Sequence, residues 1–160
     1  MIKALQTNFI YSAAVILFIT AAAKLFATTG TGQALNYPDP ILPLANRQMF
    51  FLMAGIELIV SAFLLVKNDG RLLKLALIAC LATNLLGYRA GLWWEGAPDL
   101  CNCLGNLNDR LSISTRTLNF IMGAVLAWLL GGSYLLIILN RFDHTQLPAP
   151  RVVNPPAAPK

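Results

Sequence analysis

Residues 117–140 read TLNFIMGAVLAWLLGGSYLLIILN and contain no charged side chain. About 20 apolar residues in a helix are enough to cross the hydrocarbon core of a bilayer. This run exceeds that length without interruption, so lipid is the solvent it is built for. The rest of the chain agrees. Of its 160 residues, 57% are apolar and 12% are charged, against about 25% charged in a typical soluble domain.

Three further runs of spanning length lie upstream. One covers about residues 9–28 and is broken only by Lys24; a second covers 48–66 and is broken only by Glu57. The third covers 72–88, with Lys74 at its start. None alternates as a barrel strand does, and no solenoid-length repeat occurs. The expected fold is all-α: an integral membrane four-helix bundle with spans at about 9–28, 48–66, 72–88 and 117–140. Pro38, Pro40 and Pro43 prevent a helix from continuing through the first loop. Asn68-Asp69-Gly70 reads as a tight turn, and Gly96-Ala97-Pro98-Asp99 ends the third span. The tail, residues 141–160, is polar and then proline-rich; it has nothing to bury and is expected to be disordered.

Lysine and arginine bias orients such a bundle. One side carries Lys3, Lys67, Arg71, Lys74, Arg141, Arg151 and Lys160; the other carries Arg47, Arg89, Arg110 and Arg116. Seven against four places both termini in the cytoplasm and the chain in a cell's inner, plasma membrane as a multi-pass protein. A rival reading takes Lys3, the following apolar stretch and Ala21-Ala22-Ala23 as a secretory signal with a small-residue cleavage site. Apolar character continues past the alanines through Leu25, Phe26 and Ala27, which favours a span. The net charge of +5 is scattered, with no stripe that would track a phosphate backbone, so nucleic acid is not an expected partner.

Ionisable groups at bilayer depth are costly and therefore candidate functional groups. Glu57 falls near the midplane of the second span and Lys24 near the outer end of the first. They either pair and fix the register of two helices, or Lys24 snorkels outward and Glu57 finds another partner. Glu57 is also a candidate proton acceptor. Thr83, Asn84 and Asn119 are expected to hydrogen-bond across helices. Gly123, Ala127 and Gly131, four residues apart, form a small-residue stripe suited to close packing within the bundle or to dimerisation. Tyr88, Trp93 and Trp94 sit where an interfacial aromatic belt belongs.

The chemistry-bearing motif is Cys101-Asn102-Cys103-Leu104-Gly105, in the loop after the third span. The orientation puts it outside the cytoplasm, where disulfides persist. Two thiols one residue apart close a strained disulfide that makes a poor staple and a good exchange partner. Gly105 frees the backbone there. A short helix over 107–111, together with Arg110, would favour thiolate over thiol. Three other readings stay open: a structural disulfide, ligation of a metal with help from elsewhere, or bridges to other thiols. Cys80, the remaining cysteine, reads as a small buried hydrophobe. Three cysteines and one histidine do not make a four-ligand zinc site by themselves, and no metal is expected.

Lys24-Leu25, Asp39-Pro40-Ile41-Leu42, Gly55-Ile56-Glu57-Leu58, Tyr88-Arg89-Ala90-Gly91 and the Cys101–Gly105 segment occur in that order. In these motifs, across about residues 5–140, the chain resembles the DoxX-like and MauE-like four-helix membrane proteins. The resemblance implies a bundle related to thiol-oxidising membrane enzymes of the vitamin K epoxide reductase type. It also implies a link to methylamine utilisation, where a disulfide-rich dehydrogenase subunit matures, or to a terminal quinol oxidase. A quinone is then a candidate cofactor, although the chain lacks the second Cys-x-x-Cys pair of quinone-linked relays.

Two functions are expected from these readings. The first is thiol–disulfide exchange or electron transfer through Cys101 and Cys103, an oxidoreductase activity. Its partner would be an extracytoplasmic thioredoxin-like or disulfide-containing protein, with Glu57, Lys24, Arg110 and Gly105 in support. The second is a non-catalytic subunit or assembly factor of a membrane-associated oxidase or methylamine dehydrogenase system. Homo-oligomerisation is compatible with either.

Overall fold

The computed structural model describes residues 2–29, 38–39, 41–66, 70–96 and 115–145. Four helices make up almost all of it: α1 (Ile2–Thr28), α2 (Asn46–Leu65), α3 (Arg71–Trp94) and α4 (Thr115–Thr145). All four contain stretches long and apolar enough to cross a membrane. The shortest, α2, has 20 residues. At about 1.5 Å per residue it matches a hydrocarbon core of about 30 Å.

Each helix buries one face. On α3, Leu75, Ile78, Ala79 and Ala82 are buried, at the three- and four-residue spacing that aligns side chains on one side. On α4 the same spacing brings Leu126, Leu129, Ser133 and Leu136 inward. The broadest buried face belongs to α1, running from Gln6 through Phe9, Ile10, Ala13, Ala14, Leu17, Ala21 and Lys24. Large apolar side chains such as Phe18, Ile59, Phe120 and Leu135 point outward. That inverts a soluble protein's surface and suits lipid contact.

The helices associate as two hairpins, α1 on α2 and α3 on α4, with α1 also reaching α3 and α4. Polar side chains bind the seams. Ser61 Oγ donates to the Ala14 carbonyl at 2.8 Å, and Gln6 Nε2 donates to Asn140 Oδ1 at 3.3 Å. Thr83 and Tyr134 hydroxyls meet at 3.2 Å. Lys74, buried in the first turn of α3, donates to the Leu64 and Val66 carbonyls at 3.0 and 2.6 Å. These lie at the C-terminal end of α2, where carbonyls lack helical partners and a cation is favoured.

Several bounds and side-chain roles differ from the sequence expectation. Helix α3 continues to Trp94, because nothing before Gly96 breaks it. Gly96, with φ 70°, takes the left-handed conformation that terminates a helix. Arg89 therefore lies inside α3 and not in a loop. Helix α4 runs from Thr115 to Thr145, so residues 141–145, read as tail, are helical; residues 146–160 lie outside the described residues. The residues read as a signal-like start form a continuous span, and Ala21 is buried in the core. Asn84 donates to the Cys80 carbonyl of its own helix, and Cys80 is exposed, not buried.

The small-residue stripe also differs. A Cβ added at Gly123 or Gly131 would meet no described atom within 4 Å, whereas one at Gly132 would overlap the Phe9 ring. The close approach of α1 and α4 thus occurs one residue beyond the stripe, where Phe9 also packs 5.9 Å from Trp128.

Candidate functional site

Thr20 and Lys24 of α1, Glu57 of α2 and Tyr88 and Arg89 of α3 line one cavity of the bundle. Lys24 of α1 forms an ion pair with Glu57 Oε1 of α2, and their side chains are 5% and 1% exposed. Antiparallel packing of α1 on α2 brings them together, as one sequence reading anticipated. The other Glu57 oxygen, Oε2, faces the Thr20 hydroxyl at 3.2 Å. Thr20 lies one turn before Lys24 on the same face. Both carboxylate oxygens of Glu57 are thus engaged, as a buried anion requires.

A second cluster closes over the C-terminal part of α3. Asp39 is buried in the first loop. Its Oδ1 accepts the backbone N–H groups of Ile41 at 2.8 Å and Leu42 at 3.0 Å. This is the local side-chain-to-backbone turn that aspartate favours. The other oxygen, Oδ2, accepts the Tyr88 hydroxyl of α3. A short bridge between Pro38 and Ala45 closes the loop, with Asp39 N–H donating to the Leu44 carbonyl at 2.8 Å. Ile41 rests on Gly91, where a Cβ would come 2.8 Å from its Cδ1, so the lack of a side chain admits the loop. Tyr88 is consequently half-buried, with its hydroxyl on the first loop. Trp93 and Trp94, at the C-terminal end of α3, are 75% and 88% exposed.

Between the clusters lies a small, partly open cavity of about 50 Å³. Thr20, Lys24, Glu57, Tyr88 and Arg89 supply its polar edge, while leucine, valine, isoleucine and methionine side chains of α1, α3 and α4 form the rest. Arg89 Nη2 donates to the Asn119 carbonyl of α4 at 3.1 Å, which ties the second hairpin to the same level. Among the described residues there is no group of three metal-ligating side chains.

Of the residues singled out in the sequence, Lys24 and Glu57 are brought together. Cys101, Cys103, Gly105 and Arg110 lie outside the described residues. Their segment joins the end of α3 at Trp94 to the start of α4 at Thr115, the end of the bundle toward which Tyr88, Arg89 and Asn119 lie. The sequence reading missed Thr20, and it named Asp39, Tyr88 and Arg89 only within motifs, without their contacts. A signal for the first was available in its four-residue spacing from Lys24. Asp39 and Tyr88 are 49 residues apart, and no local pattern links them.

The motifs noted as separate stretches thus meet physically: Lys24 with Glu57, Asp39 with Tyr88, Ile41 with Gly91. A family model described as Methylamine utilisation protein MauE matches residues 2–138, a span that takes in these contacts and the Cys101–Cys103 segment. No curated protein and no solved structure matches the chain. With four membrane-competent helices and a match over most of its length, the chain belongs to the MauE family of membrane proteins.

Proposed function

We propose that the protein exchanges thiols and disulfides with an extracytoplasmic protein through Cys101 and Cys103. The observation that carries this reading is the position of the pair in the chain. The two cysteines lie in the segment joining α3 to α4, the two helices that Arg89 and Asn119 tie together. A thiolate of the pair attacks one sulfur of the partner's disulfide, and a mixed disulfide forms as the partner's other sulfur leaves as a thiolate. The second cysteine then displaces the partner. The partner's disulfide gains two electrons and becomes two thiols, while Cys101 and Cys103 lose two electrons and become a disulfide. Run backward, the same steps oxidise the partner. The family's description, methylamine utilisation, fits a role in maturing a disulfide-bearing dehydrogenase subunit.

The reading places the protein in a plasma membrane with both termini in the cytoplasm. Basic residues support this: seven lie toward the terminal side, against Arg47, Arg89, Arg110 and Arg116 toward the other. Acid-trapped alkylation in intact cells tests both points. A membrane-impermeant reagent should modify Cys101 and Cys103 only after reduction from outside, and Cys101→Ser with Cys103→Ser should shift the redox state of a partner. Thiols that stay reduced, or that are reached only from the cytosol, overturn the proposal.

A second reading, an assembly factor or non-catalytic subunit, is favoured by the open stripe of Gly123 and Gly131 on α4. Such a surface admits another helix closely. Co-purification of a partner that survives both cysteine substitutions and is lost on Gly131→Leu would favour it.

A further inference from the structure

We propose that two copies of the chain pair in the membrane about a twofold axis, with Asn84 on α3 of each copy hydrogen-bonded to Asn84 of the other. This surface involves neither the cysteine pair nor the glycines of α4.

Asn84 stands deep in its span and is exposed. At about 1.5 Å per residue it lies about 20 Å from Arg71 and about 15 Å from Trp94 along the helix axis. Its side chain is too short to reach the headgroups from that depth. The amide donates to the Cys80 carbonyl at 2.8 Å, with the Cys80 sulfur at 3.6 Å. Among the described residues nothing donates to its Oδ1. Other polar side chains of the spans bond across helices: Thr83, the preceding residue, meets Tyr134 of α4, and Ser61 reaches the Ala14 carbonyl of α1. A polar group left facing hydrocarbon is costly, and helices in lipid associate to satisfy it.

The occupant follows from the amide and from the topology. A primary amide both donates and accepts. Copies of one chain insert in one orientation, so Asn84 of a second copy arrives at the same depth. With a twofold axis along the membrane normal, each amide donates its second N–H to the other's Oδ1, and the interface is self-complementary. A partner of different sequence would need a polar group of its own at that level. The surrounding face permits the approach. Ala76, Cys80 and Gly87 share it and are exposed. A Cβ added at Gly87 would meet no described atom within 4 Å. Small side chains of this kind let two helix backbones come close.

The test uses the full chain with Cys101→Ser and Cys103→Ser, in membranes of cells that express it, which leaves Cys80 as the only thiol. Cys80 lies one turn from Asn84 on the same face, so a lipid-soluble bismaleimide should join two chains through it. Energy transfer between donor-tagged and acceptor-tagged chains, followed over a range of expression levels, measures the association. Asn84→Leu should weaken association about tenfold, the loss of two interhelical hydrogen bonds, and remove most of the cross-linked dimer. Its melting temperature in monomer-forming detergent should match the parent's, because the lost bond within the monomer is to its own helix. Asn84→Gln should retain most of the association and Gly87→Leu should weaken it, whereas Gly131→Leu on α4 should leave it unchanged. Energy transfer no greater than that of a non-associating membrane protein would overturn the proposal. So would cross-linking through Cys80 that is undiminished in Asn84→Leu, or association lost in Gly131→Leu and kept in Gly87→Leu. Asn84-dependent co-purification of a different membrane protein in place of a tagged second copy would assign the face to that protein and overturn it too.

Discussion

Lys24 of α1 and Glu57 of α2 are joined in an ion pair that is almost wholly shielded, with 5% and 1% of the side chains exposed. Removing one partner leaves a charge in the bundle interior, and breaking a buried pair costs about 3–5 kcal/mol. Lys24→Met and Glu57→Leu should each lower the melting temperature in detergent. The double variant should be more stable than either single one, since it removes both charges. A double variant that melts below both singles would contradict this account.

Asp39 anchors the first loop through three hydrogen bonds, whereas Tyr88 contributes one of them. Asp39→Ala should therefore loosen the loop more than Tyr88→Phe. Each lost bond to a charged acceptor is worth about 1.5–3 kcal/mol. Hydrogen exchange checks it: the amides of Ile41 and Leu42 should exchange faster in Asp39→Ala and stay protected in Tyr88→Phe.

Gly132 and Gly131 are adjacent, yet only Gly132 faces Phe9. Gly132→Ala should destabilise the bundle by about 1–3 kcal/mol, as overpacking does. Gly131→Ala should be neutral within the error of a thermal melt. Phe9→Leu should relieve part of the Gly132→Ala defect, because the clash is with the ring.

Lys74 donates to two carbonyls at the end of α2. Lys74→Met keeps most of the apolar stem and removes the donors. It should cost about 1–3 kcal/mol, read as a lower melting temperature. Lys74→Arg, which keeps the charge, should fall between it and the native chain.

Cys80 lies in mid-α3 and is exposed on the bundle's outer surface, within a membrane-competent span. A lipid-soluble maleimide should label it in membranes, and a charged, impermeant one should not. Labelling by the impermeant reagent would contradict its place in the hydrocarbon.

The four spans were legible because each repeats apolar residues over a bilayer's thickness, a property of composition alone. Helix ends were less so. Arg89 looked like a loop charge, but the cavity edge and the Asn119 carbonyl give it a place inside α3. Within the site, the Lys24–Glu57 pairing was readable because two isolated charges in neighbouring spans have few other partners. Asp39 with Tyr88 was not, since that contact depends on how the loop folds back over α3. The glycine stripe was legible only as a smooth helix face: packing decides which face meets a neighbour within the bundle, and here it is Gly132 that meets Phe9.

The two-hairpin arrangement bears on how the chain enters the bilayer. Lys24 and Glu57 neutralise one another within the first hairpin, before any residue of α3 or α4 is needed. A translocon can therefore release residues 2–65 sideways into lipid as a finished pair while the ribosome is still making the remainder. The later hairpin then docks against a preassembled α1, whose face stays available for it until the last span emerges.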